Sequence, residues 1–159
     1  MKKESIQIEY LKFSALTELS DEDKDLVLAA LDASKRAYAP YSKFNVGAAV
    51  RLSNNKIIKG SNQENQASPS GLCAERVTLF YAGSEYPNEK IEAMAITTCS
   101  NSPDDLEPVT PCGACRQVMQ ETLLRQNSPF KIILAHQNGS GIILNDINSL
   151  LPFSFTLTK

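Results

Sequence analysis

The chain has no tryptophan and, in 159 residues, a single histidine, His136. Histidine supplies many catalytic zinc ligands and most general bases near neutral pH, so chemistry that needs two imidazoles is excluded. An excess of either charge is also missing: Lys and Arg number 16 against 18 Asp and Glu, for a formal net charge of −2. The basic residues form no run that reads as an arm, which argues against neutralising nucleic-acid phosphates. No apolar run approaches the roughly 18 residues of a membrane span. The opening "MKKESIQIEYLKFSAL" has no unbroken apolar core and no small-residue cleavage site, so it does not read as a secretory signal. The resulting expectation is a cytoplasmic protein that binds neither nucleic acid nor membrane. In that compartment cysteines are usually reduced. The four that are present, Cys73, Cys99, Cys112 and Cys115, therefore read as metal ligands, catalytic groups or core residues rather than disulfide halves.

Length and a hydrophobic fraction of 42% match one ordinary globular domain. No repeat, low-complexity tract or flexible linker divides the chain, so residues 1–159 are read as one domain, with 1–19 as an N-terminal extension packed on it. "SIQIEYLKF" alternates loosely, as a short leading strand would. "LSDEDKDLVLAALDASKRAYAP" reads as a helix with Ser20 as N-cap, acids in its first turn, an apolar face of Leu26, Leu28, Ala29, Leu31 and Ala33, and Pro40 as its stop. "NVGAAVRL" and "KIIKGS" flank "SNNK" as a hairpin whose Asn pair suits positive φ. "CAERVTLFYAG" is expected to be a helix ended by Gly83, and "IEAMAITTC" a buried strand. A proline-containing loop then leads into the helix "CGACRQVMQETLLRQ". "KIILAHQ" and "GIILN" follow as strands, and "INSLLP" as a last helical turn. The order predicts an α/β fold, a three-layer α/β/α sandwich with a mixed five-stranded sheet flanked by helices.

Two stretches carry chemistry: "SGLCAERVTLFYAG" and "PVTPCGACRQVMQE". Each sits where a loop enters a helix, so Cys73, Cys112 and Cys115 fall in or just before first turns, where unpaired N–H groups favour thiolates. Cys-x-x-Cys alone is ambiguous between a redox pair, half of a structural zinc site and two core residues. A catalytic zinc site takes three protein ligands and leaves one position open. Glu75, two residues after Cys73, favours this reading, since from a helix start it can lean over the metal and move protons. Cys-x-Glu followed by Pro-Cys-x-x-Cys is also the pattern of zinc deaminases, in which the Glu is the general acid/base.

On these motifs, and on "AYAPYSKFNVGAAV" and "NQEN" in the same order and at similar spacing, the chain from about Ala37 to Phe155 resembles the small homotetrameric class of cytidine deaminases. The resemblance implies one zinc ion per subunit on Cys73, Cys112 and Cys115, with Glu75 as proton shuttle. It implies hydrolytic deamination of cytidine and 2′-deoxycytidine to uridine and 2′-deoxyuridine, as in pyrimidine salvage. Phe44 matches the aromatic packed on the nucleoside, Asn62 and Glu64 the pair that binds the ribose 3′-hydroxyl region, and Ala74 a backbone N–H on the pyrimidine carbonyl. Phe155 matches an aromatic that closes a neighbouring subunit's site, which implies a homotetramer with shared active sites. Blasticidin S deaminases share the two cysteine motifs, but a ribose clamp such as Asn62 and Glu64 has no use without a ribose. From another class, a non-catalytic zinc-stabilised domain would need a fourth protein ligand.

Three thiolates leave Zn²⁺ with a net charge of −1, which works against activating water. Arg76 matches the family arginine that hydrogen-bonds the ligand sulfurs and offsets their charge; a guanidinium suits this because it stays protonated and offers several donors. The chain departs from the family at Ser68, where tyrosine is usual, and at Phe153 and Ser154, which replace Gly-Ala. Cys99 is expected as a buried strand residue, and His136 as a strand-end residue rather than a ligand.

Overall fold

The computed structural model describes residues 1–99 and 109–157, so most of the loop expected before the second cysteine motif lies outside the described residues. Among the described residues, six strands and three α-helices follow in the order β1 (Leu11–Phe13), α1 (Asp21–Ser34), β2 (Val46–Leu52), β3 (Ile57–Ser61), α2 (Ala74–Glu85), β4 (Ile91–Thr98), α3 (Gly113–Gln126), β5 (Lys131–Ala135) and β6 (Gly141–Leu144). They form one mixed sheet in the order β1-β6-β5-β4-β2-β3, with β4 and β5 as its parallel pair. The expected three layers are present. The sheet has six strands rather than five, because the N-terminal extension adds β1 to the edge beside β6.

The two faces of the sheet differ in side-chain size, and this sorts the helices. Ala49, Ala93 and Ala95 on one face meet Leu26, Val27 and Ala30 of α1. The approach is closest at Gly47, where a Cβ would lie 1.9 Å from the Ala30 carbonyl oxygen. The other face presents Val46, Ala48, Val50, Met94, Ile96, Ile132 and Leu134 to Ala74, Leu79 and Ala82 of α2 and Met119 of α3. Helices α2 and α3 therefore lie side by side, and their N-terminal ends can share one site.

Several boundaries differ from the sequence reading. The buried face of α1 is Asp23, Leu26, Val27, Ala30, Ala33 and Ser34, while Leu28 is exposed; the true 3.6-residue stripe runs through Val27 and Ala30. Helix α1 ends at Ser34, not at Pro40, because the chain must leave it for Tyr38 to pair with the segment after β3. The Tyr38 N–H donates to the Asn62 carbonyl, and the Glu64 N–H donates to the Tyr38 carbonyl. Helix α2 runs past Gly83 to Glu85. Gly83 is a contact glycine rather than a cap: a Cβ there would meet Arg125 Nη2 of α3 at 2.5 Å. The hairpin turn is as expected, with Asn55 at φ 64°.

Candidate active site

Cys73 is the N-cap of α2, Cys112 is the N-cap of α3, and Cys115 lies one turn into α3. Neither sulfur caps a backbone N–H of its own helix, so both are free to converge. Cys73 Sγ lies 3.9 Å from Cys112 Sγ, and Cys112 Sγ lies 3.4 Å from Cys115 Sγ. All three sulfurs fall within 4.8 Å of one another. Tetrahedral zinc with Zn–S near 2.3 Å needs sulfur–sulfur edges of about 3.8 Å, so this donor set fits the ion. Among the described residues these three form the one cluster of this kind, and it includes neither Cys99 nor His136.

Charge is arranged around the sulfurs. Arg76 Nη2 donates to Cys73 Sγ at 3.7 Å. Hydrogen bonding from Cys115, then from Arg76 and Cys112, pulls the Cys73 thiol down to about 5, against the penalty of partial burial. Cys115 moves the other way, pushed up because it gives its proton toward the Cys73 sulfur and is itself buried. The opposite shifts describe one cluster that shares protons; a divalent cation replaces those protons and favours the thiolate at all three. Glu75 is not a solvated helix acid: it is 4% exposed, and burial, followed by the nearby Cys73 charge, raises its pKa. A carboxyl shifted toward neutrality can both take and return a proton.

Beside the sulfurs lies an open cleft of about 600 Å³, bounded by Tyr41, Ser42, Asn62, Glu64, Cys73 and Arg76. Glu64 is fixed at its rim. Its Oε2 accepts from the Tyr41 N–H at 2.9 Å and the Ser42 N–H at 3.3 Å, and its Oε1 accepts from the Ser42 hydroxyl. These donors, the Ser42 hydroxyl first, hold the carboxyl below the usual carboxylate range. The same Ser42 oxygen accepts from the Phe44 N–H at 3.0 Å, and Lys43 between them adopts φ 58°. Asn62 secures the other end of that loop: its Oδ1 accepts from the Val46 N–H at 2.8 Å, and its Nδ2 donates to the Phe44 carbonyl at 2.9 Å. Phe44 packs partly buried against the core, and Ala74, in the first turn of α2, is fully buried. Ser68 also borders the cleft.

Residues 20–127 match the sequence model of the cytidine and deoxycytidylate deaminase zinc-binding region. The chain belongs to the cytidine and deoxycytidylate deaminase family. A cytidine deaminase of Halalkalibacterium halodurans is 39% identical over 131 residues, 82% of this chain and 92% of that protein. The crystal structure of cytidine deaminase from Burkholderia pseudomallei matches with a TM-score of 0.69 at 34% identity, covering 82% of this chain and 97% of that one. A blasticidin-S deaminase of Bacillus cereus is 27% identical over 140 residues, 87% of this chain and 95% of that protein.

Other expected residues fall as follows. Phe155 lies 71% exposed near the C-terminal end, its N–H and carbonyl held by the Gln117 amide at 3.2 and 2.8 Å. Its backbone is fixed while its ring projects away from the chain. Cys99 is partly buried just past β4, and its N–H donates to the Asn45 carbonyl, so it is not the buried strand residue expected. His136 is buried just past β5, and its Nδ1 accepts from the Asn138 N–H at 3.2 Å, in keeping with a strand-end role. The sequence reading missed Ser42, Arg116 and Gln117. Arg116 donates from Nε to the Pro111 carbonyl at 2.8 Å and from Nη1 to the Leu150 carbonyl at 2.9 Å, tying the residue before Cys112 to the C-terminal segment. A serine two residues before an aromatic is a local turn signal that points to Ser42; the partners of Arg116 are distant in sequence and leave no such signal.

Proposed function

We propose that this chain catalyses the zinc-dependent hydrolytic deamination of cytidine and 2′-deoxycytidine, giving uridine or 2′-deoxyuridine and ammonia. The observation that carries this is the convergence of three thiols from two helix starts beside a buried carboxyl, Glu75. One zinc ion per subunit is held by Cys73, Cys112 and Cys115 and, when bound, supplies Lewis-acid activation of water at neutral pH. Glu75 takes a proton from the attacking water and gives it to N3 of the pyrimidine. It then takes the proton of the new C4 hydroxyl and delivers it to the 4-amino group, which leaves as ammonia as the C4 carbonyl forms. Water is consumed and no redox partner is needed.

The substrate is held by Asn62 and Glu64, which border the cleft, together with Phe44 and Ala74 from the family motifs. Phe44 packs against the nucleoside, and the Ala74 N–H donates to the pyrimidine carbonyl. Glu64, kept anionic by Ser42 and Tyr41, accepts from the ribose hydroxyls, and Asn62 assists while its amide braces the Phe44 loop. The exposed ring of Phe155 closes the site of a neighbouring copy in a homotetramer; exposed Phe80, Tyr81 and Leu124 on α2 and α3 supply apolar surface for that assembly. The enzyme works in the cytoplasm, in pyrimidine salvage.

The anchored carboxylate at the cleft rim favours a ribose-bearing substrate over blasticidin S. Parallel assays of zinc-loaded protein test this, reading ultraviolet absorbance and ammonia. Faster turnover of cytidine is expected; faster turnover of blasticidin S would reverse the assignment, and turnover of neither would leave a non-catalytic zinc domain.

A further inference from the structure

The family match begins at residue 20, so the N-terminal extension lies outside it. That extension supplies the edge strand β1, whose inner side pairs with β6 through Leu11↔Ile143, Lys12↔Ile142 and Phe13↔Gly141. Among the described residues the opposite side of β1 has no strand beside it, and an exposed strand edge is a template for another chain. Running into β1, residues 4–12 read Glu-Ser-Ile-Gln-Ile-Glu-Tyr-Leu-Lys, the last two being the first two of the strand. Ile6, Ile8 and Tyr10 recur every second residue, as on one face of a strand, yet they are 55%, 47% and 57% exposed. This apolar stripe is bracketed by an acid, Glu4, and a base, Lys12.

We propose that residues 4–12 pair antiparallel with the same residues of a second copy, about a two-fold axis through Ile8, joining two sheets edge to edge. The order of charges selects both the partner and the register. Keeping the apolar stripe on one face requires an even offset, which leaves few pairings. With the axis at Ile6, Glu4 would lie opposite Ile8 and Lys2 opposite Tyr10. With the axis at Gln7, Glu4 would oppose Tyr10 and Lys2 would oppose Lys12, a repulsive pair. With the axis at Glu9, Lys12 would oppose Ile6. Only the axis at Ile8 places Ile8 on Ile8, Ile6 on Tyr10 and Glu4 on Lys12, with each opposite-charge pair made twice. Glu4 now contacts Lys2 at 3.3 Å, with both side chains largely exposed, and so weak a surface pair yields readily. A strand complementary to itself in this way points to a second copy rather than a foreign partner, and the inference does not depend on the catalytic assignment.

The test is disulfide trapping in the full-length, zinc-loaded protein. Across the proposed axis the two residue-8 Cα atoms lie about 4.5–5.5 Å apart, within disulfide reach, whereas the two residue-7 Cα atoms are offset beyond about 7 Å. Under mild oxidation, Ile8→Cys should form a covalent dimer at least tenfold faster than Gln7→Cys, with the residue-8 linkage identified by mass spectrometry of the peptides. In the Ile8→Cys background, Lys12→Glu should slow trapping and adding Glu4→Lys should restore it. Equal rates for positions 7 and 8, or no restoration by the charge exchange, would overturn the proposal.

Discussion

Replacing Arg76 by Gln removes the cation that, among the described residues, donates to the Cys73 sulfur. The Nη2–Sγ separation is 3.7 Å. A unit pair at that distance attracts by about 1 kcal/mol in water and about 4 kcal/mol at an effective dielectric of 20. Arg76 is partly exposed, which places its effect in the lower part of that range, near the about 1.5–3 kcal/mol of a hydrogen bond to a charged group. At about 1.4 kcal/mol per decade, zinc affinity should fall by roughly 10- to 100-fold in Arg76→Gln, the scale usual for groups that support metal ligands. Competition with a chromophoric chelator at fixed pH measures this, and Arg76→Lys should recover part of the loss. Deamination by the fully zinc-loaded Gln variant should also fall, since the −1 charge of the three-thiolate site is then uncompensated. Wild-type zinc affinity and wild-type turnover together would refute the argument that Arg76 offsets thiolate charge.

Ser42→Ala should raise the KM for cytidine by roughly two- to tenfold with a smaller effect on kcat, because it removes one of the three donors that anchor Glu64 and leaves the cysteines untouched. The same variant has a pH signature. Glu64 is depressed in the native protein, chiefly by the Ser42 hydroxyl, so its charge is present at neutral pH and lost only when pH falls through the lowered value. Removing that hydroxyl should move the acid limb of kcat/KM upward toward the ordinary carboxylate range, and Ser42→Thr should move it back; an unmoved limb would separate Glu64 from binding. Gly47→Ala places a Cβ 1.9 Å from the Ala30 carbonyl oxygen and 2.5 Å from the Ser34 nitrogen, both backbone atoms. It should destabilise the protein by about 3 kcal/mol or more, a fall in Tm of about 6–12 °C, and an unchanged melting curve would contradict the α1–sheet packing described.

The clustering of the three thiols was legible in the sequence because it is local: two short motifs, each at a helix start, carry them with Glu75 and Arg76. The layer order was legible for the same reason, since strand and helix periods alternate cleanly from Ser20 onward. What escaped were facts made by distant contacts. The burial of Glu75 depends on how α2 sits against the sheet, and the anchoring of Glu64 depends on a backbone turn more than twenty residues earlier. Gly83 looked like a helix stop because glycine ends helices, but its missing side chain instead admits Arg125 from α3. Asn62 was placed as a ribose ligand by resemblance, and its amide also braces the Phe44–Val46 segment, a second task that only the folded backbone reveals. The leading strand expected over residues 5–13 forms only at Leu11–Phe13, because its extent is set by pairing with β6, more than a hundred residues away.

The central claim is that Glu75 moves protons beside zinc held by Cys73, Cys112 and Cys115. Glu75→Gln, with zinc per chain and ammonia release from cytidine measured on the same sample, tests it most directly. The account predicts a full complement of zinc, a folded protein and a rate lowered on the order of 10²- to 10⁴-fold. A zinc-loaded Gln variant that deaminates cytidine at the wild-type rate would contradict it.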